Sequence, residues 1–483
     1  VLAPDTSLKD DSTGREATSV SLEVRPARSS SIRSLGVILA LGAVVRIALW
    51  WYWADLPVRI VDAQDYNGLA VRLLEQGAYL DSSGHLTSLR PPLYPVFVAS
   101  VYRVFGIENC AAVRAIQAVL GLLLTLPVYW LGREAFSERV GVLGAAWFCF
   151  YPSMLGFNNL LLSETLFTVL LVTATLTAVL AIRRQSLGML VLTGVLLGLG
   201  ALARSILFPF ALVLGPYLLF AWRGRLPRRG LAAVTPVLVC AAVLAPWAIR
   251  NTRVQETFCV VDVMGGRNAM MGNYEFTPLE RSWATISIVQ GERAWDRVLA
   301  AEHPAFGSMT QGQRDKVALQ HAKRYVLAHP GQTMQRDIVR FFNFWQLERT
   351  LVAGAKMGFF GATPGWGVLV AAIVICGVYA VTIFAGVLGA FMAAPRDRRL
   401  HWLLVLTILF PCVLHTLIFA HSRYHLPVMP LVMLYAASAV MQAPSLWSRV
   451  RSPQFALACL ACLCLIAGWV REIIVVDLEK FLG

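Results

Sequence analysis

Charge is scarce in this chain of 483 residues: 14% are Asp, Glu, Lys or Arg, against about 25% in a typical soluble domain. Apolar residues make up 57%, and the mean hydropathy is +0.62. This excludes disordered, collagen-like and disulfide-scaffold classes, and a large soluble enzyme as well. A cysteine framework is missing too. Of the nine cysteines, Cys149, Cys240, Cys376, Cys412, Cys459, Cys462 and Cys464 fall within apolar runs. The pair Cys459-x-x-Cys462 therefore reads as small polarizable packing residues of a helix, not as a metal or redox motif. No repeat of fixed period recurs, which counts against an inverted-repeat transporter. Gly265-Gly266 is followed by no Gly-Lys-Ser/Thr, so it is not a phosphate-cradling Walker loop.

What is present is a succession of apolar runs near the length that a hydrocarbon core of ~30 Å demands of one helix. They fall at about 35–53, 113–132, 140–155, 164–182, 187–203, 205–222, 231–249, 364–392, 402–420, 424–442 and 455–475. The expected fold is an all-α polytopic membrane bundle of about 11 transmembrane helices with large external loops. Residues 1–34 are polar and serine- and arginine-bearing, and read as a disordered cytoplasmic tail. No small-residue cleavage site follows the first run, so it is expected to stay as a helix.

The basic excess, 42 Lys+Arg against 28 Asp+Glu, calls for no nucleic acid. Arg133, Arg139, Arg183, Arg184, Arg223, Arg225, Arg228, Arg229, Arg396, Arg398, Arg399, Arg449 and Arg451 fall in alternate short loops, and the opposite loops hold only Arg204 and Arg423. The positive-inside rule places the first set in the cytoplasm. That holds only if the short, proline-opened run 91–105 does not cross. Residues 54–112 then form a first external loop within a transmembrane catalytic module, 35–249. Residues 250–361 form a second external region, 362–475 the C-terminal helices, and 476–483 a short external tail.

Charges on the external side are the functional candidates, because burial at a membrane edge is costly. Asp62 and Asp65 stand three apart, so on a helix they would share a face, either as N-terminal charges favoured by the helix dipole or as a functional pair. Arg90 precedes Pro91-Pro92 on the side depleted in cations, where it reads as a headgroup anchor or as a phosphate ligand. Glu164 follows Ser163 at the start of a span, where the serine can cap and the carboxylate complement the helix dipole. Arg204, Arg250 and Arg423 lie at other external helix ends. Carboxylates and arginines together suggest a base and a phosphate clamp. His415, His421 and His425 cluster nearby without tight zinc spacing, so no cofactor is required and a divalent metal stays open.

Asp62…Tyr66…Ala70…Gly77…Arg90-Pro91-Pro92-Leu93-Tyr94-Pro95 resembles the first-loop signature of the C-type membrane glycosyltransferases. More narrowly, it resembles the bacterial branch akin to protein O-mannosyltransferases and the lipid A aminoarabinose transferase. Matches follow in order at Tyr151-Pro152, Ser163-Glu164-Thr165-Leu166-Phe167, Gly198–Arg204, Pro246-Trp247-Ala248-Ile249-Arg250-Asn251, Gly265-Gly266-Arg267-Asn268 with Gly272-Asn273, and Arg423-Tyr424-His425-Leu426-Pro427. The resemblance implies inverting transfer of a sugar from a polyprenyl-phosphate donor to an acceptor (glycolipid, polysaccharide or protein) on the external face of a bacterial cytoplasmic membrane. It implies Asp62 as base, with Asp65 as a possible second carboxylate, and Glu164 as the acidic residue of the second external loop. Arg90 would hold the lipid phosphate, joined by Arg423 and by Arg250 or Arg204. Tyr66, Tyr94, Asn273, Tyr424 and His425 are expected to line the substrate cavity. The chain departs from the family where its frequent Asp-Glu pair reads Asp62-Ala63, and no sizeable C-terminal external domain is expected from the residues given. A transporter or flippase of lipid-linked glycans is the alternative; it would spread polar residues through the bilayer midplane instead of gathering them at external helix ends.

Overall fold

The computed structural model describes residues 27–477. Among these it is helical throughout, with no β-structure beyond an isolated bridge between Leu80 and Leu86. Eight helices are long and apolar enough to cross a membrane: Ser31–Trp53, Cys110–Ala135, Glu164–Arg184, Leu226–Gln255, Gly365–Met392, Arg398–Leu417, Ser422–Met441 and Pro453–Val475. The protein is a multi-pass membrane protein. Three further expected spans form helices that fall short of that length. Residues 140–155 become a helix Glu138–Cys149, broken before Tyr151-Pro152, whose ring fixes a new start at Pro152–Phe157. Residues 187–203 form the helix Leu187–Ala203, and 205–222 a 3-10 turn followed by Phe210–Ala221. At 1.5 Å per residue, 17 residues reach only about 25 Å.

In chain order the elements that matter are α1 (Ala27–Trp53), α2 (Val61–Gln76), α3 (Leu93–Phe105), α4 (Cys110–Leu123), α5 (Thr125–Ala135), α6 (Glu138–Cys149), α7 (Pro152–Phe157), α8 (Glu164–Arg184), α9 (Leu187–Ala203), α10 (Phe210–Ala221), α11 (Leu226–Gln255), α12 (Gly265–Gly272), α13 (Gln311–Ala328), α14 (Pro330–Phe344), α15 (Gly365–Met392), α16 (Arg398–Leu417), α17 (Met429–Met441) and α18 (Pro453–Glu472). Most of the tail expected at 1–34 lies outside the described residues, and its last part is helical, because α1 begins at Ala27. The expected terminal tail is described only to residue 477. The run 91–105 forms α3, whose 13 residues are too short to cross and pack beside α2 and α4.

One end of the bundle collects the arginine-rich loops. Arg183 pairs with Glu134 at 2.9 Å, and the Arg223 N–H donates to Gln185 at 3.0 Å. Arg399 donates to the Ala221 carbonyl at 3.1 Å, and Arg449 to the Met392 carbonyl at 3.0 Å. Several helices that start at this end are capped by short polar side chains: Ser137 for α6, Ser186 for α9, Asp397 for α16 and Ser452 for α18. The remaining charged residues singled out from the sequence lie toward the opposite end.

Small residues let the spans approach. A Cβ on Gly132 of α5 would stand 2.7 Å from the Gly141 Cα of α6. Within the span of α1, Arg46 is buried and donates to the Cys149 carbonyl at 3.0 Å, at the end of α6. Beyond the bundle, α12 and α13 belong to a separate small core of Met270, Tyr274, Leu299, Phe306 and Ala318.

The tightest close approach between two membrane-spanning helices is testable. A Cβ at Gly389 of α15 would fall 2.0 Å from the Tyr435 carbonyl oxygen of α17, backbone that cannot swing aside. Gly389→Ala is expected to destabilise the protein by about 1–3 kcal/mol. Thermal unfolding of the detergent-purified variant, expected below wild type by several degrees, checks it.

Candidate active site

The first loop is built around two short-range devices. Asp62 stands in the first turn of α2, which Gly77 ends in the left-handed conformation (φ 67°) that glycine adopts without strain. The chain then returns through an irregular hairpin to Arg90, where Pro91-Pro92 leads into α3. This hairpin is pinned from outside. Arg250, near the end of α11, donates to the Thr87 carbonyl at 2.6 Å, the Ser88 hydroxyl at 3.1 Å and the Tyr79 carbonyl at 3.3 Å. Ser88 donates in turn to Asn251 at 2.9 Å, and Tyr79 to the Arg90 carbonyl at 3.1 Å. The far side of the loop is held by Arg114, buried, which donates to the carbonyls of Ala54, Leu56 and Asn159.

These supports bring Asp62 and Arg90 together, and the turn before α17 brings Arg423 to the same carboxylate. Arg90 Nη2 donates to Asp62 Oδ1 at 2.8 Å, and Arg423 Nη2 to Asp62 Oδ2 at 2.6 Å. The same Arg90 nitrogen reaches Asp65 Oδ2 at 2.7 Å. The cluster stays partly open: the Asp62, Arg90 and Arg423 side chains are 23%, 20% and 23% exposed, and Asp65 49%. Burial would raise the Asp62 carboxyl, but Arg423 and Arg90 outweigh it and hold that group well below the usual carboxylate range.

A second ion pair stands beside the first. Glu164, buried at the start of α8, lies 3.0 Å from Arg204 Nη1, just past the end of α9. The Tyr424 ring joins the two pairs: Arg204 lies 5.6 Å and Arg423 5.5 Å from its centroid, and His415 stacks on it at 4.2 Å. Tyr66 packs under Arg90 at 5.5 Å and edge-on to Tyr94 at 4.8 Å. Burial, with repulsion from Arg423 next, pushes the His421 imidazole down to about 3. It is therefore neutral, and its Nδ1 accepts the Arg423 backbone N–H at 3.2 Å.

Several expectations meet a different arrangement. Ser163 makes no side-chain cap to α8; the Glu164 side chain answers Arg204 instead. Arg250 does not join the Asp62 cluster, because backbone carbonyls and hydroxyls of the hairpin take its guanidinium. Tyr94 is buried, with its hydroxyl on Gln117 at 2.7 Å. Asn273 is buried between the Leu417 carbonyl and Arg340, which donates to its Oδ1 at 3.1 Å. His425 lies behind the site, fully buried. Its Nδ1 faces the Phe344 carbonyl, its Nε2 lies 3.0 Å from Glu348, and Trp345 and Tyr379 stack on its two sides. Ser153 donates to the other Glu348 oxygen. Among the described residues, no group of three or more His, Cys, Asp or Glu side chains could hold a metal ion.

Sequence reasoning passed over three groups. Glu348 and Ser153 brace the turn that carries Arg423. Asp262 is pushed up to about 6, chiefly by burial, against hydrogen bonds from Ser205 and from the Met264 backbone N–H. No spacing marks any of them, since, apart from the Met264 N–H two residues from Asp262, each partner is met only through the fold.

Comparison with known proteins places this geometry in context. Residues 89–249, about a third of the chain, match the model of the dolichyl-phosphate-mannose-protein mannosyltransferase family. The apo oligosaccharyltransferase of Archaeoglobus fulgidus superposes with a TM-score of 0.53 at 16% identity, over 92% of this chain and 55% of its own. The same organism's oligosaccharyltransferase AglB, in complex with an inhibitory peptide and a dolichol-phosphate, gives 0.50 at 15% identity, over 91% and 55%. ArnT of Cupriavidus metallidurans, bound to undecaprenyl phosphate, gives 0.37 at 14% identity, over 84% and 79%. The chain thus spans about half the length of the oligosaccharyltransferases whose fold it shares, and the fold is that of the C-type glycosyltransferases. No curated protein matches the sequence.

Two outcomes follow from the supports. Arg250→Ala should cost about 1–3 kcal/mol by leaving hairpin acceptors unpaired, read as a lowered Tm and as proteolysis within residues 79–90. Asp262 binds its proton more tightly folded than unfolded, so it lowers stability as pH rises from about 4 to 6. Asp262→Asn should therefore melt above wild type at pH 8 and converge with it near pH 4 in a pH series of Tm values.

Proposed function

We propose that the protein is an inverting glycosyltransferase that moves a sugar from a polyprenyl-phosphate donor to an acceptor hydroxyl at the site end of the bundle. The observation that carries this reading is a single carboxylate, Asp62, held between two arginines at a membrane-edge opening of a C-type fold. The dolichol-phosphate in the archaeal oligosaccharyltransferase complex supports a lipid-phosphate carrier. The positive-inside rule supports an external site, with the arginine-rich end in the cytoplasm of a bacterial cell.

In this reading Asp62 takes the acceptor proton as its oxygen attacks the anomeric carbon. The bond from that carbon to the phosphate oxygen breaks on the opposite face, and its electron pair stays on the phosphate. One base suffices for a single displacement, which inverts the centre. The lipid phosphate leaves readily and needs charge stabilisation more than a proton, and Arg90 and Arg423 offer planar multidentate donors for its oxygens. Arg204, steadied by Glu164 and by the Tyr424 ring, stands next to them as a third cation. The arginines supply the charge stabilisation, so the reaction as written requires no divalent metal.

The test is mass spectrometry of products formed by purified protein from polyprenyl-phosphate sugars and candidate acceptors. Asp62→Asn should abolish transfer, because an amide accepts no proton near neutral pH. Arg90→Ala should lower turnover roughly a hundredfold or more, and Arg90→Lys less, since lysine keeps the charge and loses the fork. Wild-type turnover by Asp62→Asn overturns the role of base, and wild-type turnover by both Arg90 variants overturns the role of clamp.

A further inference from the structure

The two arginines that would hold a phosphate are already holding an anion. Asp62 gives one oxygen to Arg90 and the other to Arg423. Neither guanidinium makes another side-chain hydrogen bond among the described residues except the Arg90 contact to Asp65. The remaining donors of both forks, Nε and Nη1, have no partner among the described residues and are not buried, so solvent reaches them. The arrangement is thus an anion seat with free donors at its rim and a carboxylate of the protein itself at its centre.

We propose that Asp62 is an internal stand-in for the donor phosphate, occupying the seat in the free protein and released from both arginines when the lipid phosphate takes its place. This inference rests on the glycosyl-transfer reading above and adds an order to it: the base is freed only after the donor is bound.

Three observations support the exchange. A carboxylate clamped by two guanidinium groups is a poor proton acceptor, because both stabilise its ionised form. The marked depression of the Asp62 carboxyl in this structure is that penalty. Charge also balances through the reaction. The donor is a phosphodiester with one negative charge. As the acceptor proton moves to Asp62, the carboxylate loses its charge, and as the carbon–oxygen bond breaks, the phosphate gains one. The guanidinium groups can follow the charge from the one to the other without any change in the net charge of the site. Finally, Arg90 does not lose its place when Asp62 lets go. The same Nη2 stays bound to Asp65, which is more exposed and stands one helical turn along α2. Asp65 is in this view a positioning residue that keeps Arg90 at the seat.

The exchange has an unusual consequence for binding. A group that merely organises the arginines would, once neutralised, leave the phosphate bound more weakly. A group that competes with the phosphate would leave it bound more tightly. Farnesyl phosphate, the short-chain counterpart of the leaving lipid, serves as probe, with farnesol as the control that lacks the phosphate, in thermophoresis on full-length protein in nanodiscs. Asp62→Asn should bind farnesyl phosphate at least tenfold more tightly than wild type, with farnesol unchanged, and Asp65→Asn should gain less than a third as much. Unchanged or weaker binding by a monodisperse Asp62→Asn protein overturns the inference. So does equal tightening by Asp65→Asn, which would reduce the effect to net charge.

If Asp62→Asn does not fold, the wild-type protein still decides. At pH 6 a hydrophobic carbodiimide should label Asp62 at least threefold more in the presence of farnesyl phosphate than in its absence, by peptide mass spectrometry, because a released carboxylate is open to the reagent and takes up protons more readily. Unchanged or reduced labelling overturns the exchange. A wild-type protein that fails to prefer farnesyl phosphate over farnesol tells against the lipid-phosphate reading itself. Preference without tightening or labelling tells against the exchange alone.

Discussion

The Asp62 carboxylate, shared between Arg90 and Arg423, ties together parts of the chain that are 361 residues apart. At a membrane edge an unpaired arginine or carboxylate is costly, so each of these groups depends on the others for its place. Much of the remaining polar structure at this end serves that contact. Arg250 and Asn251 fix the hairpin that presents Arg90. Glu348, Ser153 and His425 brace the turn that presents Arg423. Glu164 and Tyr424 steady Arg204 beside it. Buried polar groups that lie away from the opening are therefore better understood as supports than as ligands.

How much of this could be read from the sequence follows from the range of the interactions involved. Helices declared by long apolar runs were legible, because hydrocarbon imposes length and composition residue by residue. The shorter members were harder to delimit: Tyr151-Pro152 breaks one run, and a 3-10 turn at Ser205–Leu207 opens another, yet hydropathy alone runs through both. Asp62, Arg90, Glu164, Arg204 and Arg423 were legible because charges at external helix ends are conspicuous. Their pairing was not. That Asp62 takes two arginines, or that Arg250 and Asn273 turn to structural partners instead of the opening, depends on tertiary approach. Glu348 and Asp262 carried no signal of any kind, since an isolated carboxylate in a mixed loop looks like any solvated charge.

The two ends of the bundle use the same side chain for different purposes. At the basic end Arg399 and Arg449 donate to the carbonyls of Ala221 and Met392, the last turns of α10 and α15, whose acceptors have no partner within their own helices. There arginine completes helix termini and complements their dipoles. Carboxylates are met at both ends, as Arg183 meets Glu134 and Arg399 meets Asp397, but the forks of Arg90 and Arg423 at the site end donate to no helix-end carbonyl and are only partly used. The difference in occupancy, more than the difference in number, sets the open end apart as the place where an anionic ligand can be accommodated.

Arg46 has a bearing on how the protein is made. Its carbonyl partner at Cys149 lies 103 residues further along the chain. At a synthesis rate of about 5–20 residues per second, roughly 5–20 s separate the two. During that interval α1 enters the bilayer with a cation costing about 2.5–3.5 kcal/mol and no acceptor from α6. The apolar remainder of the helix is sufficient to hold it there, but its seat is not yet complete. Arrival of α6 then supplies the carbonyl, and Gly42 allows the Cys149 sulfur to come within reach. Before that, the Gly42 carbonyl of α1 itself and the Gly121 carbonyl of α4 are the acceptors within reach, so α6 completes the seat of Arg46 instead of founding it.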